Sequence, residues 1–120
     1  MINIDVQTQY VASQSEPDNE RFVFAYTITI TNGGQAQCQL LNRHWIITDA
    51  TGDVEEVQGE GVVGQKPSLA PGESFQYTSG AVLKTPVGSM HGEYEFVDVQ
   101  GERFFAPIPA FSLSVPNLVH

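Results

Sequence analysis

Hydrophobic and polar residues alternate along much of this chain with a period of two, the pattern of a strand with one buried face. The clearest alternation runs from Arg21 to Asn32, where aromatic and isoleucine side chains face one way and mostly threonines the other. Shorter alternations predict strands over Ile2 to Tyr10 and Phe111 to Val115. The more continuously apolar run from Cys38 to Thr48 predicts a strand buried on much of both faces, with Trp45 in the core.

Turn-forming residues separate the predicted strands. The segment from Asp49 to Asp53 predicts a hairpin loop, because Gly52 can take the positive φ that such loops need. A short strand is expected to follow over Val54 to Val57. Further along, the adjacent Pro71 and Gly72 are typical of a type II turn, which leads into a strand over Ser74 to Thr78.

The C-terminal part of the chain predicts further strands over Gly88 to Val99 and Glu102 to Ala106. Prolines at positions 107, 109 and 116 place the last strands at sheet edges, where a missing backbone donor is harmless. Seven or eight short strands without a helical period predict an all-β fold, a sandwich or a small barrel. Neither a repeat nor a polar linker divides the sequence, so residues 1–120 are expected to form a single domain.

The composition narrows the class of partner and the compartment. Fourteen acidic against five basic residues give a formal net charge of -9, which repels phosphate backbones and anionic lipid surfaces. We therefore expect no nucleic-acid partner. The single cysteine, Cys38, cannot form an internal disulfide, and no long apolar run is present, which predicts a cytoplasmic protein without membrane insertion.

Six short stretches of the sequence are distinctive. They are Arg43 to Asp49, Val57 to Gly64, Leu69 to Gly72, Phe75 to Gly80, Thr85 to Gly88 followed by Met90, and Ile108 to Pro109 with Phe111. Together, in this order and over nearly the whole chain, they closely resemble the bacterial ApaG family. The resemblance implies an immunoglobulin-like or fibronectin type III-like β-sandwich of seven to eight antiparallel strands.

The same resemblance implies a function. Members of the family, also called CorD, are associated with cobalt and magnesium efflux, and related domains occur in eukaryotic F-box and polymerase-interacting proteins. This implies a protein-binding role with an unidentified partner. The resemblance implies no catalytic residue, and no serine, cysteine or histidine of this chain stands in a recognisable nucleophile motif. The expectation is a non-enzymatic adaptor without a cofactor.

Three glycines are the candidate ligand-binding residues. Gly59, Gly61 and Gly64 have the spacing of the dinucleotide-binding fingerprint. In a dinucleotide fold these glycines follow a strand and open a helix, whose N-terminal amides hold the pyrophosphate. Here Pro67 and the turn at Pro71 follow instead, so we predict a long, irregular, glycine-shaped connection between strands. A backbone nest for an anion stays open as an alternative.

Three polar residues on one strand are the candidate metal ligands. Alternation places His91, Glu93 and Glu95 on one face, opposite the apolar residues of the same strand. Residues two apart on a strand can chelate one ion together, but histidine is a poor ligand for magnesium. An ordinary solvent-facing surface is the alternative interpretation.

Two acidic loops are further candidates for a cation site. The loop from Glu16 to Glu20 lacks the spacing and the glycine of an EF-hand. Asp49 and Asp53 flank a predicted hairpin loop, and aspartate at such positions more often shapes the turn. His44, beside Trp45, is expected to be a structural histidine with its hydrogen bonds satisfied.

Two functional hypotheses remain after these arguments, beside a third possibility, an unrecognised hydrolase activity that would require a nucleophile within hydrogen-bond reach of a base. The first is an adaptor that binds a protein partner through the glycine loop, through the turn from Leu69 to Glu73, or through an exposed edge strand. The alternative is direct binding of a small ligand, either a divalent cation at the acidic loops or a phosphate-bearing nucleotide at the loop from Gly59 to Gly64. Edge pairing leaves a homodimer open, although the C-terminal prolines favour blunted edges.

Overall fold

The computed structural model describes residues 1–116 and shows two antiparallel sheets packed face to face. The strands are β1 (Ile2–Tyr10), β2 (Phe22–Asn32), β3 (Cys38–Asp49), β4 (Val54–Glu60), β5 (Ser68–Leu69), β6 (Ser74–Leu83), β7 (Val87–Asp98) and β8 (Arg103–Ser114). Two short 3-10 turns, Ala12–Gln14 and Pro17–Asn19, connect β1 to β2. No helix in this part of the chain is long and apolar enough to cross a membrane.

The smaller sheet has the strand order β1-β2-β6, and the larger has the order β4-β3-β7-β8, with β5 also paired to β3. Every pairing is antiparallel. The predicted all-β sandwich of seven to eight antiparallel strands is therefore confirmed.

The core lies between the sheets and is centred on Trp45, which is 2% exposed as predicted. Its indole contacts the rings of Tyr26, Tyr94 and Phe111 in edge-to-face geometry, with centroid separations of 5.4, 6.2 and 5.9 Å. Each such pair contributes about 0.5–1.5 kcal/mol beyond the area it buries. Because Tyr26 belongs to the smaller sheet and the other rings to the larger one, these contacts fix how the two sheets pack.

Three strand predictions are corrected by the structure. The strand predicted over Ser74 to Thr78 continues to Leu83 as β6. β4 continues past Val57 to Glu60, so Gly59 belongs to a strand and not to a loop. The two strands predicted near the C-terminus form one strand, β8, which runs through Pro107 and Pro109. β8 pairs only with β7, so both prolines lie at a sheet edge as predicted, and a register shift in that pairing lies beside them.

The predicted hairpin loop between β3 and β4 is confirmed. The carboxylate of Asp49 accepts hydrogen bonds from the hydroxyl of Thr51 at 2.8 Å, from the N–H of Thr51 at 2.9 Å and from the N–H of Asp53 at 3.1 Å. These bonds, led by the one from the Thr51 hydroxyl, lower the pKa of Asp49. Gly52 has the positive φ that the sequence predicted, at +90°.

The two long sides of the sandwich differ. On one, which we call the closed side, β1 packs against β8. On the other, which we call the open side, the edge strands are β4 and β6, and two clefts of about 370 and 170 Å³ separate them. The segment from Gly59 to Gly64 lies along this open side.

Candidate functional site

The connection that follows β4 is a tight hairpin. The N–H of Val62 donates to the carbonyl of Gln65 at 2.8 Å, and the N–H of Gln65 donates back to Val62 at 2.9 Å. The two residues between them, Val63 and Gly64, have φ of +43° and +79°. Positive φ at both central residues is the geometry of a type I′ turn, so the predicted long, irregular connection is wrong over these residues.

The hairpin requires glycine at the three candidate positions for different structural reasons. A Cβ at Gly59 would lie 2.9 Å from the guanidinium of Arg43, and a Cβ at Gly61 would lie 2.3 Å from the carbonyl oxygen of Gln65. Gly64 has open space around it and is needed only for its positive φ. No α-helix follows these glycines within residues 1–116, so the setting of a dinucleotide fingerprint is not met. Ligand binding by this loop stays a prediction.

Arg43 braces the hairpin from inside. Its Nη1 donates to the carbonyl oxygens of Glu60 and Gly61, both at 3.0 Å. Lys66 adds an exposed ion pair with the Glu60 carboxylate, and its hydrogen bond is the main cause that lowers the pKa of Glu60. The hairpin is thereby held at a fixed position relative to the central strand β3.

Two neighbouring valines of the hairpin point in opposite directions. Val62 is fully buried in the core, whereas Val63 is 52% exposed. A β-branched residue at φ of +43° is a backbone outlier, and the left-handed conformation costs an ordinary residue about 1–2 kcal/mol. Asparagine followed by glycine is the preferred pair at this turn type. Valine at position 63 is therefore not the residue that the fold alone favours.

Two clefts lie along the open side, one at each end of the stretch where β6 passes β4. The smaller is lined by the hairpin and by Tyr26, Arg43, Trp45, Tyr77 and Ser79. The larger has aliphatic residues Ile47, Val54, Val82 and Leu83, and charged residues Asp49, Asp53, Glu55 and Lys84. Val54 and Val82 are 61% and 49% exposed, so both edge strands of the open side carry an exposed apolar side chain.

A buried tyrosine pair ties the open side to the opposite sheet. The hydroxyls of Tyr77 on β6 and Tyr94 on β7 hydrogen-bond to each other in the core. Burial raises the pKa of both hydroxyls above the ordinary value for tyrosine, so both stay protonated at neutral pH. This bond helps to hold the edge strand β6 against the centre of the larger sheet.

The candidate metal ligands lie on the outer face of the larger sheet. Glu93 and Glu95 line a groove of about 430 Å³, and His91 does not. The Glu95 carboxylate accepts a hydrogen bond from Asn42 at 2.7 Å and lies 3.5 Å from the guanidinium of Arg103. Within residues 1–116 no three or more histidine, cysteine, aspartate or glutamate side chains are placed to hold a metal ion. Direct metal binding by these residues stays a prediction.

His44 lines the same groove, and its environment differs from the prediction. Its Nε2 atom is buried and has no hydrogen-bond partner among the described residues, so the expectation of a satisfied histidine is wrong. The nearest carboxylate oxygen, on Glu56, lies 3.6 Å away, beyond hydrogen-bond distance. Sequence alone does not reveal this, because the partner depends on the register between β3 and β4.

Sequence analysis missed the valines of the open side. Val54 was predicted to begin a short strand, Val63 to lie in a glycine-rich connection, and Val82 fell outside the strand predicted over Ser74 to Thr78. One signal was present: the stretch from Ser74 to Leu83 contains no charged residue and no proline. For an edge strand such a composition is unusual, but the sequence did not show that this strand is an edge.

Comparisons with known proteins cover nearly the whole chain. The model of the ApaG domain family matches residues 12–98. The chain is 58% identical to Protein ApaG of Enterobacter sp. (strain 638) over 117 residues, 98% of this chain and 94% of that protein. It is 57% identical to Protein ApaG of Escherichia coli O1:K1 with the same coverage. A crystal structure of a Bordetella pertussis protein described as ApaA has a TM-score of 0.95 and 49% identity, covering 98% of this chain and 96% of that one. The chain therefore belongs to the ApaG domain family.

Proposed function

We propose that this protein is a non-enzymatic binding module, which engages a protein partner through its open side and affects cobalt and magnesium homeostasis through that partner. The observation that carries the proposal is Val63, an apolar side chain held half exposed on a left-handed backbone. The association with cobalt and magnesium follows from the family.

The strained backbone at Val63 is not explained by the stability of the fold. Strained residues persist where the surrounding structure over-determines them, and they concentrate at functional sites. Here the brace from Arg43 and the two hydrogen bonds of the hairpin hold the backbone in place. An exposed valine adds little to folding, whereas a rigid apolar side chain is a good anchor for a partner because little entropy is lost when it binds.

The surroundings of Val63 support a contact surface rather than a reaction centre. Val54 and Val82, which line the larger cleft, are further exposed apolar side chains on the open side of the sandwich. The smaller cleft that Val63 lines also contains the Arg43 guanidinium, which is bonded to two carbonyls, and Ser79, and no histidine or carboxylate is among its described lining residues. This set offers contacts to a partner but no activated nucleophile.

The arrangement of carboxylates on the outer face of the larger sheet supports an indirect effect of this protein on metal ions. The best-placed carboxylate there, that of Glu95, is already engaged by Asn42 and Arg103. The metal dependence is therefore assigned to the partner. Calorimetric titration of metal-free protein with cobalt and magnesium should show no saturable binding, and a saturable isotherm in the micromolar range would contradict the indirect route.

The variant Val63→Asn tests the proposal. It keeps the turn and removes only the apolar side chain, and Val99→Asn, at another exposed valine far along the chain, is the matched control. Native protein and the control should capture the same partner from an extract of the native host and restore cobalt tolerance in a host that lacks the protein, while Val63→Asn should do neither. Equal capture and equal tolerance with Val63→Asn would overturn the proposal.

A further inference from the structure

We propose that β6 binds an extended, arginine- or lysine-rich segment of the partner by strand addition, with a basic side chain seated in the larger cleft of the open side. This inference rests on the protein-binding function proposed above and names the edge, the binding mode and the chemistry of the partner segment.

The edge strands of the sandwich differ in how they are protected. The shortest, β5, has only two residues and lies between Pro67 and Pro71. β8 carries Pro107 and Pro109, and β1 packs against β8. β4 carries three glutamates within its seven residues. β6 is ten residues long, pairs only with β2, and has neither a charge nor a proline. Charge, proline and coverage are the usual means of preventing edge pairing, so β6 is the one edge in residues 1–116 that stays open to another strand.

A strand added to β6 would run beside the two clefts. Neighbouring strands lie about 4.8 Å apart, and every second side chain of the added strand would point toward the interior of the sandwich. Ser79 lines the smaller cleft and Leu83 the larger, a separation of roughly 13 Å at about 3.3 Å per residue. A partner segment could therefore place side chains at positions i and i+4 into the two clefts.

The larger cleft selects the side chain that enters it. Four aliphatic residues line it, Ile47, Val54, Val82 and Leu83, and its volume is about 370 Å³. Three carboxylates, those of Asp49, Asp53 and Glu55, also line it, against one cation, Lys84. The methylene stem of arginine or lysine packs against aliphatic side chains while its charged group reaches the carboxylates.

The charge of the molecule favours a basic partner over a second copy of this chain. Each copy carries a formal net charge of -9, and pairing two β6 edges would bring the same acidic clefts toward each other. Like charges brought together oppose association, whereas a basic segment is attracted and steered to the site.

The probe for this site is a short fluorescein-labelled peptide that alternates arginine with valine, and fluorescence anisotropy measures its binding to the full chain. Saturable binding is expected, together with slower hydrogen exchange of the amides of β6. Two control peptides separate the contributions. The same sequence with N-methylated amides should lose binding, because it cannot pair with a strand edge, and a glutamate–valine peptide should not bind.

The matched protein variants are Val82→Lys and Val99→Lys, which introduce the same charge at two exposed valines. Val82→Lys should weaken peptide binding by at least about tenfold, the effect of losing one favourable charged contact of about 1.4 kcal/mol, while Val99→Lys should leave it within about twofold. Equal affinity of both variants, equal binding of the N-methylated peptide, or concentration-dependent dimerisation that Val82→Lys abolishes would each overturn strand addition by a basic partner.

The two proposals fail in different ways. If the peptide does not bind but capture of the native partner still depends on Val63, the strand-addition inference is overturned and the binding function stands. If the peptide binds but capture and cobalt tolerance do not depend on Val63, the function proposed for the hairpin is overturned instead.

Discussion

On the closed side of the sandwich, β1 packs against β8, and Pro107 and Pro109 remove backbone donors from the edge of β8. On the open side, β6 presents ten residues without a charge or a proline, and the hairpin beside it holds Val63 in a strained, half-exposed conformation. Both sides face the same problem, the tendency of unpaired strand edges to associate. They differ in how far the sequence suppresses it.

Under the proposed binding function, this difference separates what folding requires of the sequence from what binding requires. On the closed side, packing of β1 against β8 and the prolines of β8 suppress edge pairing, although Phe105 of β8 is exposed. The open side departs from this protection: its edge strand β6 has neither a charge nor a proline, and three valines, Val54, Val63 and Val82, are exposed there. Such departures are expected at functional sites, where a local rule is broken for a purpose other than stability.

The largest expected effect comes from breaking the hairpin of the open side with Gly61→Ala. The new Cβ would lie 2.3 Å from the carbonyl oxygen of Gln65, on a backbone with φ of +63°, so the hairpin must open. We expect a loss of about 3–5 kcal/mol in the free energy of unfolding, since Val62 would leave the core. Chemical denaturation measures it.

The matched control is Gly64→Ala, where the new Cβ meets nothing within 4 Å and only the positive φ opposes it. A loss of about 1 kcal/mol is expected from the left-handed backbone alone. Similar losses for both variants would show that the hairpin is not closely packed against Gln65.

A smaller effect is expected from cutting the link between β6 and the opposite sheet. Tyr94→Phe leaves the hydroxyl of Tyr77 buried without its partner, which should lower the free energy of unfolding by about 1–3 kcal/mol. The double variant Tyr77→Phe with Tyr94→Phe removes both hydroxyls and should recover part of that loss. A double variant whose loss equals the sum of the two single losses would show that the hydroxyls do not interact.

Alkaline pH should weaken the same link. Burial raises the pKa of Tyr77 and Tyr94 in the folded protein above the unfolded value near 10. Above that pH the unfolded chain releases these protons while the folded chain keeps them, so stability is full below about pH 10 and falls above it by about 1.4 kcal/mol per pH unit for each tyrosine. Denaturation between pH 9 and about 11 should show this slope, and the double phenylalanine variant should flatten it.

The smallest expected effect has the opposite sign. Val63→Asn gives the type I′ turn its preferred asparagine–glycine pair and should raise the free energy of unfolding by about 1 kcal/mol. For a chain of this length, thermal unfolding should shift upward by a few degrees. A lower melting temperature would mean that packing of the Val63 side chain stabilises the fold by more than its left-handed backbone destabilises it.

The sequence predicted the sandwich well because alternation and turn chemistry are local. The strand from Phe22 to Asn32, the turn glycines and the core position of Trp45 follow from nearest neighbours and a period of two. β8 was predicted as two strands because prolines usually end one, and the register shift that accommodates Pro107 and Pro109 depends on β7.

The candidate site was less predictable, since it depends on which strands become edges. The exposure of Val82 follows from the place of β6 in the smaller sheet, and the brace from Arg43 follows from the register of β3 with β4. Neither pairing can be predicted from the residues of these strands alone. The glycines at 59, 61 and 64 were noticed for their spacing, but each serves a different contact that only the folded chain defines.

The two neighbouring valines of the hairpin link the exposure of one side chain to the packing of the core. Val62 is fully buried while Val63 is half exposed, so the hairpin cannot release one without pulling the other out of place. If Val63 is the anchor proposed above, only molecules whose core is complete present it correctly to a partner. Damaged, truncated or partly unfolded copies of the chain would lack the anchor and would not act as competitors for that partner.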